Sequence, residues 1–295
     1  MERVDFRDQI AKNKWKSYFL MFCVFAVVVL LGYAISFAFA PGYVFVILAI
    51  SSIIYIIYVL ISYYNSDKIA LLSVGAKKAD PIKHRNYYSV VEGLTIASGL
   101  PMPKLYVMPI KQINAFASGR NPKNSIICVT EGALEKLDKK ELEGVLAHEL
   151  SHIGNYDIRF ATLVAVMVGM ISIISQLFLR SLWFRSGGNN ENNRAQLIFV
   201  LICIALAILA PIVVTLVQLS ISRKREYVAD ASAVKFTRYP KGLINALKKI
   251  KEDSKSEERV KVSKAIAPLF FSSPFKNLLS THPRLDEMIK VLERM

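Results

Sequence analysis

The chain has 295 residues, room for one large domain or two ordinary ones. It is 53% hydrophobic yet carries a formal net charge of +15, which excludes both an ordinary soluble domain and a disordered chain. Apolar and basic character together point to membrane spans with basic flanks, and no nucleic-acid motif gathers the charge, so nucleic acid is not expected as a partner.

Four stretches are long and apolar enough to cross a bilayer as helices, at residues 17–40, 42–64, 160–182 and 196–221. The first follows a basic leader with Arg3, Arg7, Lys12, Lys14 and Lys16. Its apolar run is too long for a signal peptide and a second span follows at once, so it reads as a retained anchor. Pro41-Gly42 makes a tight turn between the first two spans, and the polar segment 186–193 joins the last two, giving two helical hairpins. Pro211 is placed to kink the fourth. Residues 1–16 hold 5 Lys or Arg, 65–159 hold 13 and 222–295 hold 17, against 3 between the last two spans (Arg180, Arg185 and Arg194). That imbalance assigns both termini and the 65–159 segment to the cytosol. The span centres lack ionisable residues, which disfavours a transporter and leaves the membrane part as anchor and scaffold.

The domain boundaries that follow are 1–64 (tail and first hairpin), 65–159, 160–221 (second hairpin) and 222–295, with one cytosolic domain assembled from the second and fourth segments. Within 65–159, residues 66–78 and 86–98 read as helices and 104–108, 113–118 and 125–130 as short strands, with a turn at 118–122. His84 lies in a basic loop and reads as a surface residue. A helix begins after Asp138, which with Glu141 forms a capping box, and it carries Leu142, Val145, Leu146 and Leu150 on one side as far as Gly154-Asn155. Beyond the fourth span a helix continues out of the membrane, the charged run 248–264 reads as a solvated helix face or loop, and a last helix starts after Pro283. The cysteines Cys23, Cys128 and Cys203 lack CxxC spacing and read as small buried hydrophobes.

The chemistry centres on His148-Glu149-Leu150-Ser151-His152. Histidines four apart on a helix share a face and can hold one metal ion, while Glu149 at the edge of that face can reach a metal-activated water without ligating. Two of the chain's 4 histidines occupy this pair. Catalytic zinc takes three protein ligands and leaves one position open. Glu226 and Asp230 are also four apart, on the helix after the fourth span, so Glu226 is assigned as third ligand and Asp230 as the carboxylate that orients a ligating imidazole. Spacing alone leaves these acids equally compatible with pairing to neighbouring Arg and Lys. For the tetrahedral oxyanion the candidates are His282, Tyr156 and Arg284, with His282 favoured because Thr281-His282-Pro283 precedes a helix; a capping or surface histidine remains an open alternative there. Asn114-Ala115-Phe116-Ala117 reads as an exposed strand beside the site, to whose edge an extended substrate adds through main-chain hydrogen bonds, Asn114 serving as a polar anchor.

The HELSH run, the ExxxD pattern of Glu226 and Asp230 after an intervening pair of spans, Asn114-Ala115-Phe116-Ala117, Gly119-Arg120-Asn121-Pro122, Val129-Thr130-Glu131-Gly132 and Thr281-His282-Pro283 together resemble the HtpX membrane metalloproteases, relatives of the CAAX prenyl-protein proteases. The resemblance covers nearly the whole chain. It implies a gluzincin-type zinc endopeptidase of a prokaryotic plasma membrane, multi-pass, with termini and active site cytosolic, one Zn2+ per chain, and a part in quality control of damaged or misfolded membrane proteins. By motif it implies His148, His152 and Glu226 as ligands and Glu149 as the catalytic carboxylate. One position departs from the family: its frequent arginine six residues after the HP-motif histidine is here Met288. The expected fold class is α+β, mainly α, with four transmembrane helices in two hairpins plus a cytosolic zincin-like metallopeptidase domain with a small β-sheet. The expected partners are protein or peptide substrates and the lipid bilayer.

Overall fold

The structure is a computed structural model that describes Trp15, Phe19, Phe22, Phe25, Ala26, Val29 and Tyr33 near the N-terminus, then residues 41–159, 161–162, 223–254, 270 and 285–295. A 3-10 turn at Pro41–Tyr43 leads directly into α1 (Val44–Tyr64). Among the described residues α1 is the one helix long and apolar enough to cross a membrane, with a mean hydropathy of 2.9. Most of its apolar side chains are exposed, Phe45 to 87%, as suits a helix whose solvent is lipid. The Phe25 ring lies 5.2 Å from that of Tyr55 on α1. Most of the expected first span, and the expected spans at 160–182 and 196–221 apart from Ala161 and Thr162, lie outside the described residues.

The expected helix over 66–78 stops early. Helix α2 (Ser66–Ser73) begins one residue after α1 and ends where Gly75 takes φ +63°, a left-handed conformation that glycine adopts without a Cβ penalty. The Val74 and Ala76 N–H groups both turn back to the Leu71 carbonyl or its neighbourhood. Lys77–Lys78, freed from the helix, form the short strand β1. Helix α3 (Arg85–Ser98) matches its expected bounds to one residue and closes on Gly99, again left-handed. His84 is half-buried before it, its Nδ1 accepting the Asp80 N–H at 3.1 Å.

Strands β2 (Lys104–Met108), β3 (Ala115–Asn121) and β4 (Asn124–Thr130) complete a sheet of order β1-β2-β4-β3. β4 is central, parallel to β2 and antiparallel to β3. The turn expected at 118–122 is tighter than the sequence suggests: β3 runs on to Asn121 through an irregularity at Gly119, whose φ of +139° and 2.3 Å approach to the Asn124 carbonyl by any added Cβ demand glycine. Side chains alternate across the sheet. Leu105, Val107, Ala115, Ala117, Ile127 and Val129 join the main core, and Met108, Phe116, Ile126 and Cys128 pack on the other face against Ala70, Leu71 and Phe270.

Helix α4 (Glu131–Lys136) is capped by the Thr130 hydroxyl. Helix α5 (Lys139–Gly154) starts with the expected box: Asp138 Oδ1 accepts the N–H groups of Lys140 and Glu141 at 2.8 Å, and Glu141 Oε2 accepts that of Asp138 at 2.8 Å. Such a cap contributes about 0.5–2 kcal/mol. Leu142, Val145, Leu146 and Leu150 are all buried as their spacing requires. Helices α6 (Arg223–Thr237) and α7 (Pro240–Asp253) pack around α5 with α3 and β3, and α8 (Leu285–Leu292) packs on α6 and α7, so the helix that carries the histidines is the centre of the domain. Of the charged run 248–264, residues 248–253 form the last turns of α7, with Lys248 and Glu252 exposed, Ile250 buried and Lys249 reaching Glu141 at 2.7 Å; residues 255–264 lie outside the described residues. Met288 is core, 1% exposed beside Ile289 and Leu292, so an apolar side chain fills the position where the family often has arginine.

α5 and α7 touch backbone to backbone. A Cβ on Gly144 would stand 2.6 Å from the Leu243 nitrogen, and one on Gly242 would stand 2.5 Å from the Lys140 carbonyl oxygen. Neither obstacle is a flexible side chain, so the helices must separate to admit a methyl group. Gly144→Ala is expected to lower the domain's stability by about 1–3 kcal/mol, read as a fall in the thermal or denaturant midpoint. An unchanged midpoint would show that the helices are not held this close.

Candidate metal centre

α5 presents His148 and His152 from adjacent turns of one face, and α6 brings Glu226 against them from the far side of the 160–222 segment. The two imidazoles stand nearly perpendicular with centroids 4.8 Å apart. Their Nε2 atoms are 3.1 Å from each other, and Glu226 Oε2 lies 3.5 Å from that of His148 and 3.7 Å from that of His152. All three ligand atoms fall within 4.8 Å of one another.

The outward nitrogens explain why the inward ones converge. His148 Nδ1 donates to Asp230 Oδ1 at 2.9 Å, and His152 Nδ1 donates to Asp157 Oδ2 at 3.1 Å. A carboxylate only accepts, so each Nδ1 carries the hydrogen and the neutral ring turns its Nε2 lone pair inward. Two lone pairs 3.1 Å apart repel unless a proton or a cation lies between them. Zinc–ligand bonds of ~2.0–2.1 Å at tetrahedral angles separate ligand atoms by ~3.3 Å, which the three observed distances bracket.

Charge gives an independent test of fit. Glu149, Asp157, Glu226 and Asp230 are 3%, 7%, 2% and 0% exposed, with Arg225, 7% exposed, the neighbouring cation. Asp230 Oδ2 is buried without a hydrogen-bond donor among the described residues. Burying this many carboxylates is costly unless positive charge joins them. Burial acts to lower the His148 pKa, yet the carboxylates of Asp230 and Glu226 outweigh it and raise it to about 9. For His152 burial is likewise outweighed by Glu226 and Asp157, and the shift is strongly upward. The cavity is built to hold positive charge, and its N, N, O donor set is one that zinc accepts.

The structure brings His148, His152, Glu226 and Asp230 together, with Glu149 buried beside them on α5. Asp157 is the residue that sequence reasoning missed. It opens the helical turn that follows the break at residues 155–156, where an acid is ordinary, so its type carried no signal of a place beside the metal ligands. Tyr156, just before it, takes φ +59°. His282 and Arg284 lie outside the described residues.

The expectation of an exposed strand at 114–117 needs correction. Asn114, Ala115, Phe116 and Ala117 are 9%, 0%, 0% and 5% exposed, because α5 covers one face of β3 and the Ala70, Leu71 and Phe270 cluster covers the other. The edge itself stands: among the described residues β3 is last in the sheet. Asn114 exchanges bonds with Thr130, its carbonyl accepting the Thr130 N–H at 3.0 Å and its N–H meeting Thr130 Oγ1 at 3.0 Å. Antiparallel alternation therefore turns the main-chain groups of Ala115, Ala117 and Gly119 away from β4, on a side of the strand where Ala115 and Ala117 are themselves closed to solvent. The Asn114 side chain is turned onto its own strand, with Oδ1 accepting the Ala115 N–H at 3.0 Å. At the other end Thr162 Oγ1 reaches the Gly119 carbonyl at 3.4 Å.

A model of the family described as peptidase family M48 matches residues 81–295. The chain is 41% identical over 291 residues to a protein named protease HtpX homolog from Caldanaerobacter subterraneus subsp. tengcongensis, covering 97% of this chain and 96% of that one. It is 40% identical over 300 residues to one of the same name from Dictyoglomus thermophilum, covering 100% and 96%. Among solved structures, the crystal structure of S. mikatae Ste24p aligns with a TM-score of 0.48 and 18% identity, over 97% of this chain and 67% of that chain.

Proposed function

The chain belongs to peptidase family M48, in its HtpX branch, and from that premise we propose a residue-level reading of its site. It is a membrane-associated zinc metalloendopeptidase. His148, His152 and Glu226 hold one Zn2+ per chain, and the observation that carries this is the convergence of their three ligand atoms from α5 and α6. Asp230 orients His148 through Nδ1.

Zinc held by these residues would supply Lewis acidity to a water and to the scissile carbonyl. Glu149 would accept the attacking water's proton and deliver it to the leaving amine. Its burial keeps the carboxylate out of bulk solvent, where the transfer would be diluted by competing water. His282 is the group we assign to the developing oxyanion. An extended peptide adds to the outer edge of β3 through Ala115 and Ala117, beside Asn114 and Phe116. Main-chain pairing discriminates little among side chains, so cleavage is broad.

The membrane frame is two hairpins, spans 17–40 with 42–64 and 160–182 with 196–221, flanking catalytic segments 65–159 and 222–295. The Phe25–Tyr55 ring contact supports the first hairpin, and the basic bias supports cytosolic termini and site. The substrates are misfolded or damaged membrane proteins, cleaved at the cytosolic face of a prokaryotic plasma membrane.

Purified full-length protein in detergent should contain about one zinc per chain and cleave casein. Stripping the metal with a chelator should abolish cleavage, and stoichiometric zinc should restore it. Hydrolysis that persists in metal-free protein would overturn the reading.

A further inference from the structure

We propose that Asp157 and Arg225 act as a linked pair of positioning residues for the metal: Asp157 fixes the imidazole of His152, and Arg225 fixes Asp157. The inference rests on the ligand set proposed above and adds two residues to it.

The two oxygens of Asp157 serve different partners. Oδ2 accepts from His152 Nδ1 at 3.1 Å, while Oδ1 faces Arg225 Nη1 at 3.7 Å. Asp157 and Arg225 are both buried, each 7% exposed. A buried guanidinium is costly unless a carboxylate meets it, and removing one partner of such a pair leaves the other charge stranded. Arg225 therefore has a physical reason to stay on Asp157, and Asp157, held from behind, cannot swing away from the ring it orients. The planar fork of arginine suits this task better than a lysine ammonium would.

Local backbone points the same way. The Tyr156 N–H bonds the Ile153 carbonyl at 3.2 Å as α5 ends, and φ +59° at Tyr156 reverses the chain. That value is unfavourable for a bulky side chain, and it returns Asp157 onto the helix's last turn, beside His152. Asp157 then opens the next helical turn, where an acid is favoured. Its contacts with the imidazole and the guanidinium offset the backbone cost at Tyr156.

Position in the chain gives the pair a further consequence. Asp157 lies just before the 160–222 segment and Arg225 just after it, one residue ahead of Glu226. The pair thus ties the exit of α5 to the start of α6 and sets where the Glu226 carboxylate lies relative to His152. His148 is oriented by Asp230, on α6 itself. Each imidazole is thus referred to the helix that supplies the third ligand, His148 directly and His152 through Asp157 and Arg225.

The test uses the full-length chain in detergent, with zinc affinity measured by competition against a chromophoric chelator and folding measured separately by the metal-free thermal midpoint. Asp157→Asn should weaken zinc binding by ~10–100-fold, the usual effect of losing an outer partner of a ligating histidine. Arg225→Gln should weaken it in the same direction. The double variant should lose no more than Asp157→Asn alone, because Arg225 acts through Asp157. If Asp157→Asn fails to fold, Asp157→Glu and Arg225→Lys replace the singles, and the absorption bands of cobalt substituted for zinc should shift in both. Folded Asp157→Asn with affinity within about twofold of wild type, unshifted cobalt bands, or losses that multiply in the double variant would overturn the proposal. Wild-type protein that binds no zinc would overturn the ligand set beneath it, a result distinct from zinc binding that is merely indifferent to Asp157.

Discussion

Glu149→Gln should retain zinc at the wild-type level and hydrolyse casein about 10²–10⁴-fold more slowly, the span expected for loss of a positioned general base. The substitution is nearly isosteric, and the site is tightly enclosed, with Glu149 3% exposed between two histidines that are 0% and 9% exposed. A glutamine fills the same space and leaves α5 packed, so the fold and the three ligand atoms should persist. What disappears is the ability to accept a proton. A ligand variant such as His148→Ala would lose metal and activity together and could not separate the two roles. The discriminating result is therefore a zinc-replete protein that does not turn over. Retained proteolysis in folded, zinc-loaded Glu149→Gln would remove Glu149 from the mechanism, and loss of zinc would make it a ligand instead.

The parts of this site legible in sequence are those governed by local periodicity. His148 and His152, and Glu226 and Asp230, are each four apart on a helix, and four residues bring side chains to one face whatever the tertiary structure. Asp138 with Glu141 is equally local and capped α5 as expected. Residues that act through tertiary return were not legible. Asp157 reaches His152 only because Tyr156 takes a left-handed conformation, and nothing in the spacing of Asn155-Tyr156-Asp157 announces it. Residues 77–78 continue a helical pattern in sequence, yet Gly75 ends the helix and β2 recruits them by long-range pairing. The strand at 114–117 was expected to be exposed, and it is buried, although among the described residues β3 is last in the sheet. Its composition, Ala-Phe-Ala, already favours burial, and the covering elements α2, α5 and Phe270 come from distant parts of the chain. Met288 shows the same limit in reverse: its apolar side chain reads as a lost arginine in the motif but as a core residue in α8.

Glu226→Ala should release zinc, with a larger loss of affinity than the ~10–100-fold expected for an outer partner. The competing explanation of Glu226 is a juxtamembrane acid that pairs with Arg225 or Lys224. Loss of such a pair would leave the metal affinity indifferent, whereas loss of a ligand would not. The direction of the carboxylate favours the ligand. Glu226 is 2% exposed and its Oε2 points at both imidazole Nε2 atoms, at 3.5 and 3.7 Å. Truncation would leave two nitrogens 3.1 Å apart as the remaining ligands, one short of the three that a catalytic zinc site requires. Glu226→Gln provides the graded control, because it keeps an oxygen in place and gives up the charge. Zinc content after exhaustive dialysis should therefore fall in the order wild type, Gln, Ala, with Glu149→Gln grouped with wild type. If the alanine variant keeps its zinc through dialysis, the third ligand lies elsewhere, and α6 would then hold the metal helix in place without touching the metal.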